Sequence, residues 1–296
     1  MNEAPRGRFA PSPTGPLHFG SLVAAVGSYL NVKSRGGQWL VRIEDLDPPR
    51  EEPGAVDTIL KTLEAYNLLW DEPVIYQSRR TEIYEAAIDQ LTEKGLTYYC
   101  QCSRKDIAAD AGAGIDGARY PGTCRTLGLG PGNKSLRIKV PDEIFAFEDA
   151  IQGLVQQNLE RDIGDFVIRR RDGLYSYQLA VVVDDGIQNI TEVCRGTDLI
   201  DSTPRQIYLQ QVLELSTPQY LHLPVAMNQH GQKLSKQTHA APVPQKADSQ
   251  ALSSAIQFLG QNLPTELVGA PTAELIEWSV EYWDLSTVPG TLAIRV

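Results

Sequence analysis

The sequence predicts an α/β protein built on a Rossmann-type nucleotide-binding core, and three observations carry that expectation. The first 45 residues read as strand, loop, helix, strand, a βαβ unit. The alternation resumes after a stretch rich in glycine and alanine over residues 108–132. Two short motifs suited to phosphate chemistry stand about 215 positions apart, one near each end of the alternating region.

The elements follow in order. Arg6–Pro11 reads as a short strand entering the loop Pro11-Ser12-Pro13-Thr14-Gly15-Pro16. Leu22, Ala25, Val26, Tyr29 and Leu30 recur at helical spacing, and Gly36-Gly37 closes that helix. Trp39–Ile43 reads as a buried strand. Helices are expected over Gly54–Asn67, with Val56, Ile59, Leu60 and Leu63 on one face, and over Thr81–Lys94, with Ile83, Ala87, Ile88 and Leu91. Residues 108–132 read as a loop-rich insertion. Ser135–Val140 and Asp165–Arg170 read as strands, Leu179–Val183 is apolar, and Asn189–Val193 reads as another strand. A helix over Thr203–Leu215, a short strand over Leu221–Met227 and helical patterns over Ala251–Leu259 and Thr272–Tyr282 complete the chain. Ala240–Gln245, with two prolines, is the linker candidate.

Composition narrows the function classes. With 27 Lys and Arg against 37 Asp and Glu, the 296-residue chain carries a formal charge of −10, which argues against indiscriminate nucleic-acid binding. The charge is uneven, so a local basic surface stays open. A hydrophobic content of 42% supplies a core. The longest aliphatic runs, Leu22–Val26 and Leu179–Val183, fall far short of the ~20 residues that span a bilayer. The N-terminus has no basic and apolar signal pattern, so a cytoplasmic location is expected. Cys100, Cys102 and Cys124 cluster and Cys194 stands alone, which in a reducing compartment reads as metal binding before disulfides. Cys194 reads as a small buried strand residue.

The motif pair carries the chemistry. Pro11 to Ser21, with His18 and Gly20, leads a flexible loop into a helix whose first N–H groups and dipole favour an anion. Gly20 lets a nucleotide approach the backbone, and His18 can donate to phosphate oxygens. Lys233-Leu234-Ser235-Lys236 brings positive charge to a triphosphate.

These motifs resemble the two signatures of class I aminoacyl-tRNA synthetases. Arg8-Phe9-Ala10-Pro11-Ser12-Pro13-Thr14-Gly15, Arg42-Ile43-Glu44-Asp45-Leu46-Asp47, Val182-Val183-Asp184-Asp185-Gly186, Arg195-Gly196 and His222-Leu223-Pro224 resemble the glutamyl subgroup over residues 6–240. Ser21 stands where the first signature usually has a second histidine. Only 60 residues follow Lys236, too few for the large helical anticodon-binding domain of a full glutamyl-tRNA synthetase. That feature, with Lys-Leu-Ser-Lys-Gln at 233–237, resembles the glutamyl-queuosine tRNA(Asp) synthetase family. The resemblance implies activation of L-glutamate with ATP and Mg²⁺, then transfer to the queuosine base in the anticodon of tRNA(Asp), by a chain expected to be a monomer.

It also implies roles. His18 and Lys236 would be catalytic, and His18, Gly20, Lys233 and Lys236 would bind ATP. Arg8, Phe9, Ala10, Pro11, Ser12, Glu44, Tyr177 and Arg195 would bind glutamate, the arginines taking carboxylate and Glu44 the ammonium. By residue type alone, Arg8, Arg42 and Arg195 read first as ion-pair partners of Glu44, Asp45 or Asp47; the resemblance reverses that for Arg8 and Arg195, and for Arg42 it stands. Asp184 and Asp185 read as Mg²⁺ ligands or as a helix or loop boundary. Cys100-x-Cys102, 17 residues, then Tyr120-x₃-Cys124 resembles the family's site for one structural zinc. Its fourth ligand is Tyr120 by resemblance, with water or Asp116 as alternatives.

The expected divisions are residues 1–97, the first half of the core, and 98–174, an insertion carrying zinc and contacting RNA. Residues 175–240 form the second half with the Lys-Leu-Ser-Lys loop, and 241–296 a small helical part. Three other functions use the same motifs: a minimal glutamyl-tRNA synthetase charging the 3′ end of tRNA(Glu), a non-catalytic paralogue binding tRNA or nucleotide, and a nucleotidyl transferase with another substrate.

Overall fold

The computed structural model describes residues 4–110, 113–115, 117–234 and 240–296. Lys236 and Asp116 therefore lie outside the described residues.

The opening βαβ unit is β1 (Arg6–Phe9), α1 (Phe19–Lys33) and β2 (Gln38–Ile43), with β1 and β2 paired in parallel. After α2 (Ala55–Ala65), β3 (Ile75–Tyr76) extends that sheet beyond β2, again in parallel. α3 (Thr81–Glu93) leads into the inserted region. There β4 (Thr97–Cys100), α4 (Arg104–Asp110) and the short ladder of β5 (Ala113–Gly114) and β6 (Gly117–Ala118) precede β7 (Ser135–Ile138). A hairpin, β8 (Ile144–Asp149) and β9 (Gly153–Asn158), is followed by α5 (Leu159–Asp162) and β10 (Phe166–Arg169). β7 lies between β4 and β10, antiparallel to both.

The chain then returns to the core through α6 (Tyr177–Ile187), β11 (Glu192–Gly196), α7 (Thr203–Val212) and β12 (Gln219–Leu223). β11 pairs with β12 in parallel and abuts β1, where the Thr191 backbone N–H donates to the Arg6 carbonyl at 2.9 Å. So β1 has β2 on one side and β11 on the other. Such a switch point opens a crevice at the carboxyl ends of the strands. β13 (Val225–Met227), α8 (Ser249–Phe258), α9 (Thr272–Glu281) and β14 (Ala293–Arg295) complete the fold, β14 pairing in parallel with β13.

Two apolar cores flank this arrangement. One packs α1 residues Leu22, Val26 and Leu30 against Trp39, Leu252, Ile256 and Leu275, so α8 and α9 share the core of the first motif's helix. The other packs Leu179 and Val182 against Ile88, Leu91, Ile168 and Ile207.

Several expectations are refined. The apolar run Leu179–Val183 lies inside helix α6, capped by the Ser176 hydroxyl, which accepts from the Leu179 N–H at 3.3 Å. The strand expected over Asn189–Val193 starts later, at Glu192, because Asn189 takes a left-handed φ of 52° just past α6. Pro224 separates β12 from β13 in what was expected to be one strand. The β8–β9 hairpin is an element the sequence reading did not anticipate. Within the linker candidate, the Val243 N–H donates to the Leu17 carbonyl at 2.8 Å and Pro242 bridges to His18, so this segment is held against the first motif.

Candidate active site and metal centre

A cavity of about 1000 Å³ opens at the carboxyl ends of β1 and β11. It gathers residues 8–18, Gly20, Glu44, Tyr177, Arg195 and Lys233, so every described residue expected at the nucleotide or glutamate site lines one space.

The loop after β1 is shaped from outside. The Glu44 N–H donates to the Pro11 carbonyl at 3.0 Å, and the Glu52 N–H to the Pro13 carbonyl at 2.9 Å. Phe9 is buried and stacks on Trp39, so its part in the pocket is its backbone's place at the strand end. His18 caps α1: its Nδ1 accepts the Ser21 N–H at 3.2 Å. An accepting Nδ1 assigns the proton of a neutral ring to Nε2, which makes that nitrogen the donor of the ring. A Cβ on Gly20 would stand 3.2 Å from His18 Cε1, so glycine here makes room for the capping ring as well as for a ligand. Ser21 meets His18 through its backbone. Lys233 Nζ lies 2.6 Å from Asp198 Oδ2, at the edge of the cavity.

The polar end is built on buried ions. Arg8 grips Asp185 with two nitrogens, Nε at 3.0 Å and Nη2 at 3.1 Å. It is thus both a cavity-lining cation and an ion-pair partner, but of Asp185 and not of the acids expected from its neighbourhood. Arg42, fully buried, donates through Nη1 to Asp185 at 2.8 Å and to Gln188 at 2.7 Å; it is an ion-pair partner as expected, of Glu44 at 3.5 Å among the acids named, but most closely of Asp185. Asp184 accepts from Gln77, Arg80 and Tyr84 at 2.6–2.8 Å. Asp184 and Asp185 are therefore buried counter-ions within the last turns of α6, with their oxygens taken up by protein groups. Their place near the end of α6 agrees with the helix-boundary reading, while the occupied oxygens speak against the Mg²⁺-ligand reading.

Glu44 differs from them. Its Oε1 lies 3.5 Å from Arg42 Nη2, and among the described residues neither atom has a hydrogen-bond partner. Burial pushes the carboxyl up to about 7, against the pull of Arg42 and Arg8. A buried, unsatisfied acceptor on a cavity wall is a site for a ligand's donor. Opposite in charge, Arg195 donates through Nη1 to the Tyr177 hydroxyl at 3.2 Å and through Nη2 to Thr203 Oγ1 at 2.8 Å. The cavity therefore offers a carboxyl that still lacks a hydrogen-bond donor among the described residues and a held cation, a match for a zwitterionic ligand.

The second centre lies in the inserted region. The sulfurs of Cys100, Cys102 and Cys124 all lie within 4.8 Å of one another, with Cys102 and Cys124 at 3.5 Å. A tetrahedral metal with bonds of about 2.3 Å to sulfur requires edges near 3.8 Å, so the spacing fits one ion. The Tyr120 hydroxyl is 3.3 Å from the Cys100 sulfur and accepts the Cys124 N–H at 2.8 Å, placing a fourth oxygen at the cluster. Arg137 lies 3.8 Å from the Tyr120 ring centroid, holding that side chain from the other face. Cys194 is buried at the cavity floor as expected.

Two buried residues with polar contacts to the site escaped the sequence reading. Asp149 belongs to no motif, and His222 stands only in the His222-Leu223-Pro224 stretch. Each matters through a partner far away in sequence, which no local pattern displays.

The fold and the signature site define a class I synthetase. Residues 5–254 match the family of class I tRNA synthetases (E and Q), catalytic domain, and the chain belongs to that family. Its curated relatives narrow the class. Glutamyl-Q tRNA(Asp) synthetase of Dechloromonas aromatica (strain RCB) is 54% identical over 292 residues, 98% of this chain and 97% of the relative. The enzyme of the same description from Pseudomonas aeruginosa PAO1 is 51% identical over 283 residues, 96% and 94% of the two chains. Among solved structures, a glutamate tRNA ligase from Elizabethkingia meningosepticum, in complex with its amino acid, superposes with a TM-score of 0.80 at 25% identity. That likeness covers 99% of this chain and 67% of the ligase. Among the described residues, no helix is long and apolar enough to cross a membrane.

Proposed function

We propose that this chain is a ligase that activates L-glutamate with ATP and transfers the glutamyl group to the queuosine base in the anticodon of tRNA(Asp). The relatives at about half identity over nearly the full length support the reading. The observation that carries it is the charge arrangement in the cavity: Glu44, whose Oε1 has no hydrogen-bond partner among the described residues, and Arg195, held by Tyr177 and Thr203, line the same space as His18, the cap of α1.

In this reading the ammonium of glutamate satisfies Glu44, and Arg195 with Tyr177 takes a carboxylate. Arg8, Phe9, Ala10, Pro11 and Ser12 form the surrounding wall. An oxygen of the α-carboxylate attacks the α-phosphorus of ATP, the bond to the β-phosphate oxygen breaks, and pyrophosphate leaves. The Nε2–H of His18 and the first N–H groups of α1 stabilise phosphate charge, with Gly20 giving close access. Lys233 and Lys236 supply further cations, and Mg²⁺ accompanies the nucleotide. A hydroxyl of the cyclopentene ring of queuosine then attacks the acyl carbon, and AMP leaves. No side chain acts as a covalent nucleophile.

The Cys100, Cys102, Cys124 and Tyr120 set suits one zinc ion, which orders an insertion with few apolar groups of its own. The reading also takes residues 98–174 as the RNA-contacting insertion between the core segments 1–97 and 175–240. Residues 241–296 contact the stem. It takes the chain as cytoplasmic and monomeric.

Glutamate-dependent ATP–pyrophosphate exchange tests the activation step. The expected order is glutamate far above glutamine and aspartate, with Lys236→Ala lowering the rate by orders of magnitude at unchanged thermal stability. Exchange that ignores the amino acid, or an unaffected Lys236→Ala, contradicts the assignment.

A further inference from the structure

His222 lies on β12 and is fully buried, between Leu221 and Leu223. An imidazole there is tolerable only if both ring nitrogens are satisfied. They are. Nδ1 is 2.6 Å from Asp149 Oδ2, and Nε2 is 3.1 Å from Arg195 Nε and 3.2 Å from Thr203 Oγ1.

Asp149 is itself buried, at the end of β8. Its Oδ1 accepts three backbone N–H groups: Gln152 at 2.9 Å, Ile151 at 3.0 Å and His222 at 3.2 Å. These bonds and the contact with His222 hold the Asp149 carboxyl below its ordinary range, although burial acts to raise it. Burial, joined by the Arg195 charge, keeps His222 below its own ordinary value, and the Arg195 Nε–H 3.1 Å from Nε2 leaves that nitrogen only an acceptor's role, as in a neutral ring. An ionised carboxylate has no proton to give, so the ring proton must sit on Nδ1 and the lone pair on Nε2. That lone pair faces the Arg195 Nε–H. The opposite tautomer would set two N–H groups against each other.

We infer that Asp149 and His222 are positioning residues for glutamate recognition: Asp149 fixes the tautomer of His222, and His222 fixes the guanidinium of Arg195 at the glutamate pocket. This rests on the reading of Arg195 as a carboxylate contact. The relay begins in the β8–β9 turn, so the inserted region holds a wall of the amino-acid pocket. Gln152 strengthens the docking, donating from its side chain to the His222 carbonyl at 2.8 Å.

The test variant is Asp149→Asn. The amide oxygen can keep the three backbone bonds, which turns the NH₂ toward Nδ1, moves the ring proton to Nε2 and displaces Arg195. The expected result is a glutamate KM raised about 10- to 100-fold, with the ATP KM changed less than about 2-fold. Glutamate and ATP KM values rising in parallel, or both unchanged, overturn the relay. Nitrogen-15 NMR of the wild-type histidines reads the tautomer without any variant: the Nδ1–H form of His222 supports the inference, and the Nε2–H form ends it. Arg195→Ala separates the two levels. If it raises the glutamate KM while Asp149→Asn does not, the relay alone fails. If it leaves the glutamate KM unchanged, the Arg195 reading fails and the relay with it.

Discussion

Glu44 concentrates the residue-scale chemistry. Its carboxyl sits near 7 because burial outweighs two nearby guanidiniums, and it accepts no hydrogen bond from the described residues. Binding an ammonium requires the ionised form, so below pH 7 a proton must leave before glutamate can bind. The sign is then fixed: the glutamate KM rises as pH falls from 8 to 6, approaching about tenfold per unit below the midpoint. Glu44→Gln is expected to have a high glutamate KM that is flat across this range, measured in steady-state exchange. A wild-type profile as flat as the variant's speaks against Glu44 as the ammonium site. At this scale a local motif made the cavity lining legible, as for His18, Glu44 and Arg195. The sequence was illegible where the decisive partner is distant. Asp185 sits 177 positions from Arg8, and Asp149 sits 73 from His222, and neither pairing leaves a local trace.

Elements were legible where periodicity was long. α1, α2 and α3 fall within a few residues of their expected bounds, because each repeats an apolar face over about two turns or more. The five-residue run Leu179–Val183 was not decisive, since short apolar runs suit a buried strand or a buried helix alike. The β8–β9 hairpin was missed for a related reason. Its strands carry exposed Ile144 and Leu154 beside buried Phe145, so the usual alternation of apolar and polar residues is blurred. The cysteine-bearing segment depends on backbone as much as on sulfur. Gly164 holds a φ of 76°, and a Cβ there would stand 2.2 Å from the Tyr120 carbonyl oxygen. Gly164→Ala is expected to cost at least about 1–3 kcal/mol and to lower the bound metal per chain. Thermal denaturation alongside elemental analysis checks this. Chelation should lower the wild-type melting temperature, and a variant with full metal and unchanged melting would remove the proposed link.

Among the described residues, two large apolar cores are joined by a buried ionic seam, and a third, small cluster surrounds the cysteines. Arg42, on the strand that feeds the first core, reaches Asp184 and Asp185 on the helix that fills the second. Removing one member of such a seam leaves buried charge without compensation. Arg42→Ala is expected to destabilise folding by about 3–5 kcal/mol, read from urea denaturation. A loss below about 1 kcal/mol would mean that the seam is dispensable. The overall charge of −10 argues against indiscriminate binding of nucleic acid by this chain. The most direct test of the central claim is where labelled glutamate ends up. Incubated with ATP, Mg²⁺ and tRNA, the chain should label only tRNA(Asp) that contains queuosine, and nuclease mapping should place the label in the anticodon fragment. Equal labelling of tRNA lacking queuosine, with the label at the 3′ end, would contradict the account and make the protein a minimal glutamyl-tRNA synthetase.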